Sequence, residues 1–390
     1  MKRYVVIGSG VIGSSIAHEL ARRKLGRITV VEKESSFGFH ASGRNSGVIH
    51  SGINQKPGTI KATMCLEGSR RLRGYCRDKG VPMNQCGTLV VARDGKELEV
   101  LETLLRMGKE CGVPDLEIID KIELHEKEPQ AKGIAALFSP TGATVDSLRL
   151  LEAIIDDARS LGVEYRFSHQ VSGIEGTRLM ANQGSIEGDY IVNCAGLYAD
   201  KIAHMMDVGK EYRVIPFRGE YMELKGCDVR GMIYQPPDLR FPFLSVHLTR
   251  ETDGRVLAGP SAVLSWGRES YKKEIHWKET LETISSRQFM RMILNPAVLR
   301  LALENAKTSL SKHSFCQQVK SLVSGVEDHQ FYPFRSGIRA QMVDDHGRLV
   351  DDIKVEFKEN STHVLNAVSP GMTCSLAFAE YLVDEMVKRS

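Results

Sequence analysis

The sequence predicts an α/β fold, α+β overall, in which a parallel-sheet domain and a mostly antiparallel-sheet domain interleave along 390 residues. Three observations carry this expectation. The first 32 residues read strand, Gly-x-Gly-x-x-Gly, helix, strand. Residues 213–265 alternate short β-like runs with Pro and Gly turns, and residues 363–388 return to strand, turn and helix.

Bulk composition narrows the function classes. The length allows two or three domains with a sizeable core. With 52 Lys plus Arg against 49 Asp plus Glu, the net charge of +3 leaves no basic excess of the kind a nucleic-acid binder carries. The eight cysteines form no Cys-x-x-Cys pair and no Cys/His cluster with zinc spacing, which predicts a reducing compartment and no structural metal. The chain enters a strand at once, with no apparent leader, and has no run of 18 apolar residues. A cytoplasmic location is expected, with a peripheral position on the inner face of the cell membrane as an option.

The elements follow in order. Residues 3–7 form a short apolar strand that runs straight into Gly8-Ser9-Gly10-Val11-Ile12-Gly13. Ile12, Ile16 and Leu20 recur every four residues, with Ala17 and Ala21 beside them, so a helix follows until Gly26. A second strand over 28–31 ends at Glu32, 19 residues after Gly13. In this setting Gly8 permits the tight turn, Gly10 lets backbone approach a pyrophosphate, and Gly13 lets the helix pack on the sheet. The helix start, with Val11 and Ile12, offers N–H groups and a positive dipole end to phosphates, and Glu32 is placed to accept from an adenosine ribose.

The fingerprint alone fits NAD and FAD equally, since both share the adenosine-pyrophosphate half. The next segment favours FAD. In place of another plain helix, Lys33 is followed by a Gly/Ser-rich loop whose backbone and Ser42, Asn45, Ser46 and Gly47 suit a long dinucleotide lying across the domain. That loop ends at His50, between Ile49 and Ser51.

Further on, a strand is expected over 86–92, then a helix with Leu98, Leu101 and Leu105 on one face until Gly112. Asp146 caps a helix carrying Leu148, Leu151, Ile155 and Ala158, which stops at Gly162. Strands near 163–167 and around Val171 follow, then 190–194 leading through Ala195-Gly196 into a helix. That turn reads either as a second approach of backbone to cofactor, with Val171 beside it, or as an ordinary strand-helix turn. Residues 287–312 mix basic and large apolar side chains around Pro296; they read as helices packed on the protein's own core or as a surface resting on anionic lipid. At the end, the turn 369–371 starts a helix over 372–388, and Gly371-Met372 can present its dipole to a flavin pyrimidine or simply close the core.

Several words of the sequence are more specific. Glu32, the run Ala-Ser-Gly-Arg-Asn-Ser-Gly-Val-Ile-His-Ser-Gly-Ile over 41–53, Lys56-Pro57-Gly58, Lys61-Ala62 and Cys86-Gly87-Thr88-Leu89-Val90-Val91 resemble the L-2-hydroxyglutarate oxidase/dehydrogenase branch of the D-amino-acid-oxidase-like flavoproteins. The likeness resumes at 240–250, 257–260 and 335–341, so it spans essentially the whole chain. It implies a Rossmann-like FAD-binding domain, here 1–76, 141–212 and 326–390, and a substrate-binding domain, here 77–140 and 213–325, whose sheet roofs the flavin. It also implies oxidation of an L-2-hydroxy acid, most specifically L-2-hydroxyglutarate to 2-oxoglutarate, by hydride transfer to flavin N5. The electron acceptor is expected to be a quinone, reached if segment 287–312 rests on a membrane, or oxygen. An amine oxidase of the same superfamily and a flavin- or NAD-binding protein without turnover are the competing readings.

Such chemistry needs a carboxylate clamp, a base for the hydroxyl proton and exclusion of water. The resemblance places a carboxylate-binding arginine at Arg339; Arg335, four residues earlier on an extended strand, shares its face and is either a second binding group or a structural ion pair. His50, at the end of the cofactor loop, is the expected base, or else a hydrogen-bond partner of the flavin. His247 ranks next, opposite in strand alternation to Arg250. For a distal carboxylate, Arg250, Tyr234, Arg240 and Lys61 form the pool. Asn54-Gln55 stands where the branch commonly has two tyrosines, which leaves the distal pocket open.

Overall fold

The computed structural model describes residues 1–239, 246–296, 298–300 and 311–389. The expected strand-helix-strand start is present as Arg3–Ile7, Val11–Arg22 and Arg27–Val31. These strands sit inside a six-stranded sheet ordered Lys354–Lys358, Ser361–Asn366, Tyr190–Asn193, Arg3–Ile7, Arg27–Val31, Glu164–Arg166. All neighbours are parallel except the first edge pair. The strands are near-continuous β-branched runs because both faces are covered. On one face Val6, Val30 and Val192 meet Ile16 and Leu20 of the first helix and Phe378, Leu382 and Val383 of the C-terminal helix Gly371–Lys388.

Among the described residues the second sheet has nine strands. Its spine is Arg213–Leu224, paired antiparallel with Phe331–Val343 along its whole length, with Phe217 opposite Arg339 and Tyr221 opposite Arg335. Thr88–Ala92, Ala135–Ser139 and Glu117–Asp120 extend it at the other edge. The chain therefore returns to the parallel sheet only at Lys354, later than the residue 326 that the sequence suggested. Residues 331–343 stay in the antiparallel sheet because pairing with Arg213–Leu224 is what satisfies their backbone groups.

One long element has no counterpart in the sequence reading. The helix Ile60–Lys79 starts at Thr59, whose side chain accepts from Ala62 N–H at 3.1 Å, and ends at the left-handed Gly80. Besides Lys61, it buries Ala62, Cys65, Gly68, Ser69, Leu72 and Cys76, mostly small residues that make no visible apolar stripe. Small size is the point. A Cβ on Gly68 would lie 2.3 Å from the Thr373 carbonyl oxygen, so this helix touches the C-terminal helix almost backbone to backbone.

Of the basic, apolar segment 287–312, the helix Arg287–Ile293 buries Phe289 and Met292 against Ile215 and Val343. Residues 301–310, and the word 240–245 with Arg240, lie outside the described residues. No helix among the described residues is long and apolar enough to cross a membrane.

A buried histidine in the parallel sheet gives the fold a pH dependence. Asn193 Nδ2 donates to the Ala199 carbonyl and to His363 Nδ1 at 3.2 Å, so His363 carries its proton on Nε2 and donates to Ser361 Oγ at 3.0 Å. Burial, then Lys358, pushes this imidazole down to about 4. The unfolded chain binds the proton first, so this contribution is fully present above pH 6.5 and is lost as pH falls toward 4, amounting to roughly 3 kcal/mol. Unfolding midpoints measured from pH 7 to 4.5 should fall less steeply for His363→Asn than for the wild type; equal slopes would contradict the assignment.

Candidate active site

A cavity of about 1110 Å³ runs from the N-terminal glycines to the antiparallel sheet. That exceeds what a drug-sized ligand fills and leaves room for a dinucleotide and a small acid together. Its nucleotide end is built by close backbone approaches. Gly8 sits at φ 104°, and a Cβ there would lie 2.5 Å from the Cys194 carbonyl oxygen. A Cβ on Gly13 would lie 2.0 Å from the Gly8 oxygen. Gly13→Ala is therefore expected to leave the purified protein without flavin and the turn displaced; a full flavin complement, read from the absorbance ratio, would refute this.

The loop after the second strand is organised largely by its own hydrogen bonds. Glu32 Oε2 accepts from Ser9 N–H at 3.0 Å and Ser9 Oγ at 2.9 Å, while Oε1 accepts from Glu34 N–H at 3.0 Å. A carboxylate has about four acceptor positions, so Glu32, which lines the cavity, retains capacity for a ribose hydroxyl. Ser42 Oγ accepts from Val11 N–H at 2.9 Å and so docks the loop on the helix start. Asn45 Nδ2 donates to the carbonyls of Ala41 and Ser42, and its Oδ1 accepts from Gly47 N–H at 2.8 Å. Gly47 is a turn residue at φ 64° behind the cavity wall, whereas Ser42, Asn45 and Ser46 line it. Lys33 pairs with Glu34 and, at 2.6 Å, with Glu269; its ammonium offsets part of the charge of the two carboxylates grouped with His40.

Gly10, Val11, Ile12, Val171, Ala195, Gly196, Gly371 and Met372 line the same cavity. The C-terminal helix begins there without a side-chain cap. Thr373 in its first turn accepts from His50 N–H at 3.0 Å and donates to the Val48 carbonyl at 3.3 Å. One hydroxyl thus pins the end of the loop strand Val48–Ile49, and the histidine after it, to the helix start.

Four cationic or titratable side chains converge beyond this point: His50, Lys61, His247 and Arg339 all line the cavity. Burial, then His247 and Lys61, pushes the His50 imidazole down to about 4, so it is neutral at pH 7. Burial lowers Arg339 to about 10 against the opposing pull of Asp351, and its Nε donates to Gln341 Oε1 at 3.1 Å. Lys61 Nζ donates to the Asp351 carbonyl at 2.9 Å and to its Oδ1 at 3.1 Å. Tyr234 stacks on His247 with ring centroids 4.2 Å apart, but does not line the cavity itself.

Two of the predicted arginines lie elsewhere. Arg335 pairs with Glu251, and Arg250 donates to Asp228 Oδ1 at 3.2 Å and the Val229 carbonyl at 2.9 Å; neither lines the cavity. An available carboxylate captured each. Conversely, Tyr221, Thr373 and Asp351 line the cavity without having been singled out. For Tyr221 a signal existed: Phe217, Gly219 and Tyr221 all face the cavity at the period of two of a single long strand, read in the sequence only from 221.

A glycine cradle opening along one cavity onto imidazoles and a half-buried guanidinium defines a dinucleotide-dependent oxidoreductase. Residues 3–385 match the FAD dependent oxidoreductase (DAO) family, and the chain belongs to it. Its relatives include the L-2-hydroxyglutarate dehydrogenase of Indibacter alkaliphilus, 34% identical, covering 99% of this chain and 98% of that one. The same-named protein of Escherichia coli K12 is 34% identical over 99% and 93% of the two chains. The mitochondrial L-2-hydroxyglutarate dehydrogenase of Homo sapiens is 33% identical over 99% and 88%. Among solved structures, FAD-bound, dithionite-reduced L-α-glycerophosphate oxidase of Mycoplasma pneumoniae superposes with a TM-score of 0.77 at 21% identity, covering 98% and 94% of the chains. Glycine oxidase of Geobacillus kaustophilus gives 0.74 at 16%, covering 100% and 96%. The resemblance and the FAD requirement read from the sequence are thereby borne out, and the α/β fold with them. The glycine cradle and the helix start fit FAD as the resident cofactor.

Proposed function

We propose that this enzyme oxidises L-2-hydroxyglutarate to 2-oxoglutarate. The observation that carries the reading is the pair of cations, Arg339 and Lys61, sharing one cavity with two imidazoles beyond the dinucleotide groove. The names of the relatives agree with it.

FAD, which Gly10, Val11, Glu32, Ser42 and the start of the C-terminal helix would hold, would supply a two-electron acceptor for the substrate's C2 hydride. The rest is the work of the chain. Arg339 holds the carboxylate next to the reacting carbon through its planar fork of donors. His50, neutral in the free protein, accepts the hydroxyl proton. Its basicity is low before substrate arrives, and an incoming dianion raises it by favouring the imidazolium. His247, held by the ring of Tyr234, donates to or accepts from the same hydroxyl. An amino acid would bring an ammonium toward Lys61 and Arg339, which disfavours the amine-oxidase reading.

The test is anaerobic mixing of the holoenzyme with L-2-hydroxyglutarate, D-2-hydroxyglutarate, glycine, sarcosine and D-alanine. Rapid bleaching of the yellow flavin by the first alone is expected. Bleaching by an amino acid instead, or by none, would overturn the reading. Repeating the turnover with a soluble quinone and with oxygen identifies the acceptor.

A further inference from the structure

We infer that Lys61, tethered by Asp351, binds the carboxylate farther from the reacting carbon and so selects dicarboxylates; this rests on the proposed reaction. Lys61 is the second residue of the helix Ile60–Lys79 and only 9% exposed. A lysine so buried needs a reason, because desolvating an ammonium is costly unless a partner compensates. The partner present is only partial. Asp351 takes two of the three N–H donors of Lys61 and also accepts from Lys56 Nζ at 2.9 Å, so one carboxylate serves two lysines. The neighbouring Asp352 does not make up the difference. Its carboxylate is turned to the backbone N–H groups of Ile60, Lys61 and Ile353.

Arg339 is the other cation beside it. Both cations line the one cavity and repel; burial lowers the basicity of Lys61, Asp351 opposes this, and Arg339 lowers it further. A ligand with one carboxylate on each relieves both the repulsion and the desolvation. A monocarboxylate relieves one. Among the described residues, the other members of the pool stand away from the cavity. Arg250 is engaged with Asp228 and Tyr234 stands behind His247, both outside the cavity lining, and Arg240 lies outside the described residues. Asn54 and Gln55 also line the cavity, with Gln55 Nε2 donating to Asn54 Oδ1 at 3.2 Å.

The tether also explains the placement. Asp351 fixes the ammonium through its own carbonyl as well as its carboxylate, so the lysine head is held from two directions and loses little freedom on binding.

The experiment uses the FAD-loaded enzyme and two redox-inert probes, glutarate and butyrate. Their dissociation constants are measured by calorimetry for the wild type, Lys61→Met and Asp351→Asn. Flavin content and unfolding midpoint confirm that each variant is folded. For Lys61→Met, glutarate binding is expected to weaken on the order of 100-fold while butyrate changes less than about threefold. Asp351→Asn should give a smaller loss in the same direction, and Lys61→Arg should recover part of the preference. Turnover should follow, with L-2-hydroxyglutarate losing its advantage over L-2-hydroxybutyrate. Equal weakening of both probes, or of neither, or no preference for glutarate in the wild type, would overturn the assignment. If Lys61→Met loses glutarate selectively but no hydroxy acid bleaches the wild-type flavin, the dicarboxylate site stands and the proposed reaction falls.

Discussion

His50→Ala is expected to slow flavin reduction by on the order of 10²- to 10⁴-fold while leaving the flavin complement intact. The cofactor groove is assembled by the glycine turn, the 41–47 loop, Val171, Ala195-Gly196 and the start of the C-terminal helix, none of which needs the imidazole. The tie between this segment and the C-terminal helix uses the backbone N–H of His50, so alanine preserves it. What is lost is the imidazole alone. Its neutral state is required for proton acceptance, and because its folded value is near 4, kcat/KM should hold nearly level from pH 7 down to 5. An acid limb near 6.5 in kcat/KM would mean that the base is not this imidazole. In kcat the limb should lie higher than in kcat/KM, since bound dianion favours the protonated ring. If His50→Ala reduces its flavin at the wild-type rate, the proton goes elsewhere, and His247 is the group to replace next.

Arg339→Met is expected to lower kcat/KM on the order of 10³-fold, because a buried carboxylate would lose its charge-assisted partner. Arg339→Lys should recover about tenfold at most, since an ammonium cannot reproduce the two parallel N–H contacts of a guanidinium. Stability should move the other way. Arg339 is a half-buried cation whose basicity is reduced to about 10, so the free enzyme carries a desolvation cost that methionine removes. The unfolding midpoint of Arg339→Met should be equal to or above that of the wild type. A variant that loses activity together with several degrees of midpoint would instead mark Arg339 as part of the framework.

The nucleotide half was legible because its signals are local. Gly8, Gly10, Gly13 and Glu32 lie within 25 residues of one another, and their roles follow from turn geometry, helix packing and strand termination. The helix at 147–160 was readable from Asp146 and its apolar period for the same reason. Ile60–Lys79 was not, although Thr59 and Gly80 bound it, because contact with another helix selected small residues in place of an apolar stripe. The long pairing of Arg213–Leu224 with Phe331–Val343 joins segments more than a hundred residues apart, and no local pattern announces it.

At the reacting end, the sequence by itself determined which side chains were chemically suitable: two histidines, a lysine and several arginines near a dinucleotide fold. Only the tertiary structure decided among them. Arg335 and Arg339 are four residues apart on one strand, yet Glu251 draws one away while the other lines the cavity. Lys61 is placed by Asp351, 290 residues later in the chain. The reason is physical: backbone conformation follows from near neighbours, whereas the state of a charge depends on desolvation and on whichever opposite charge the fold brings within a few ångströms.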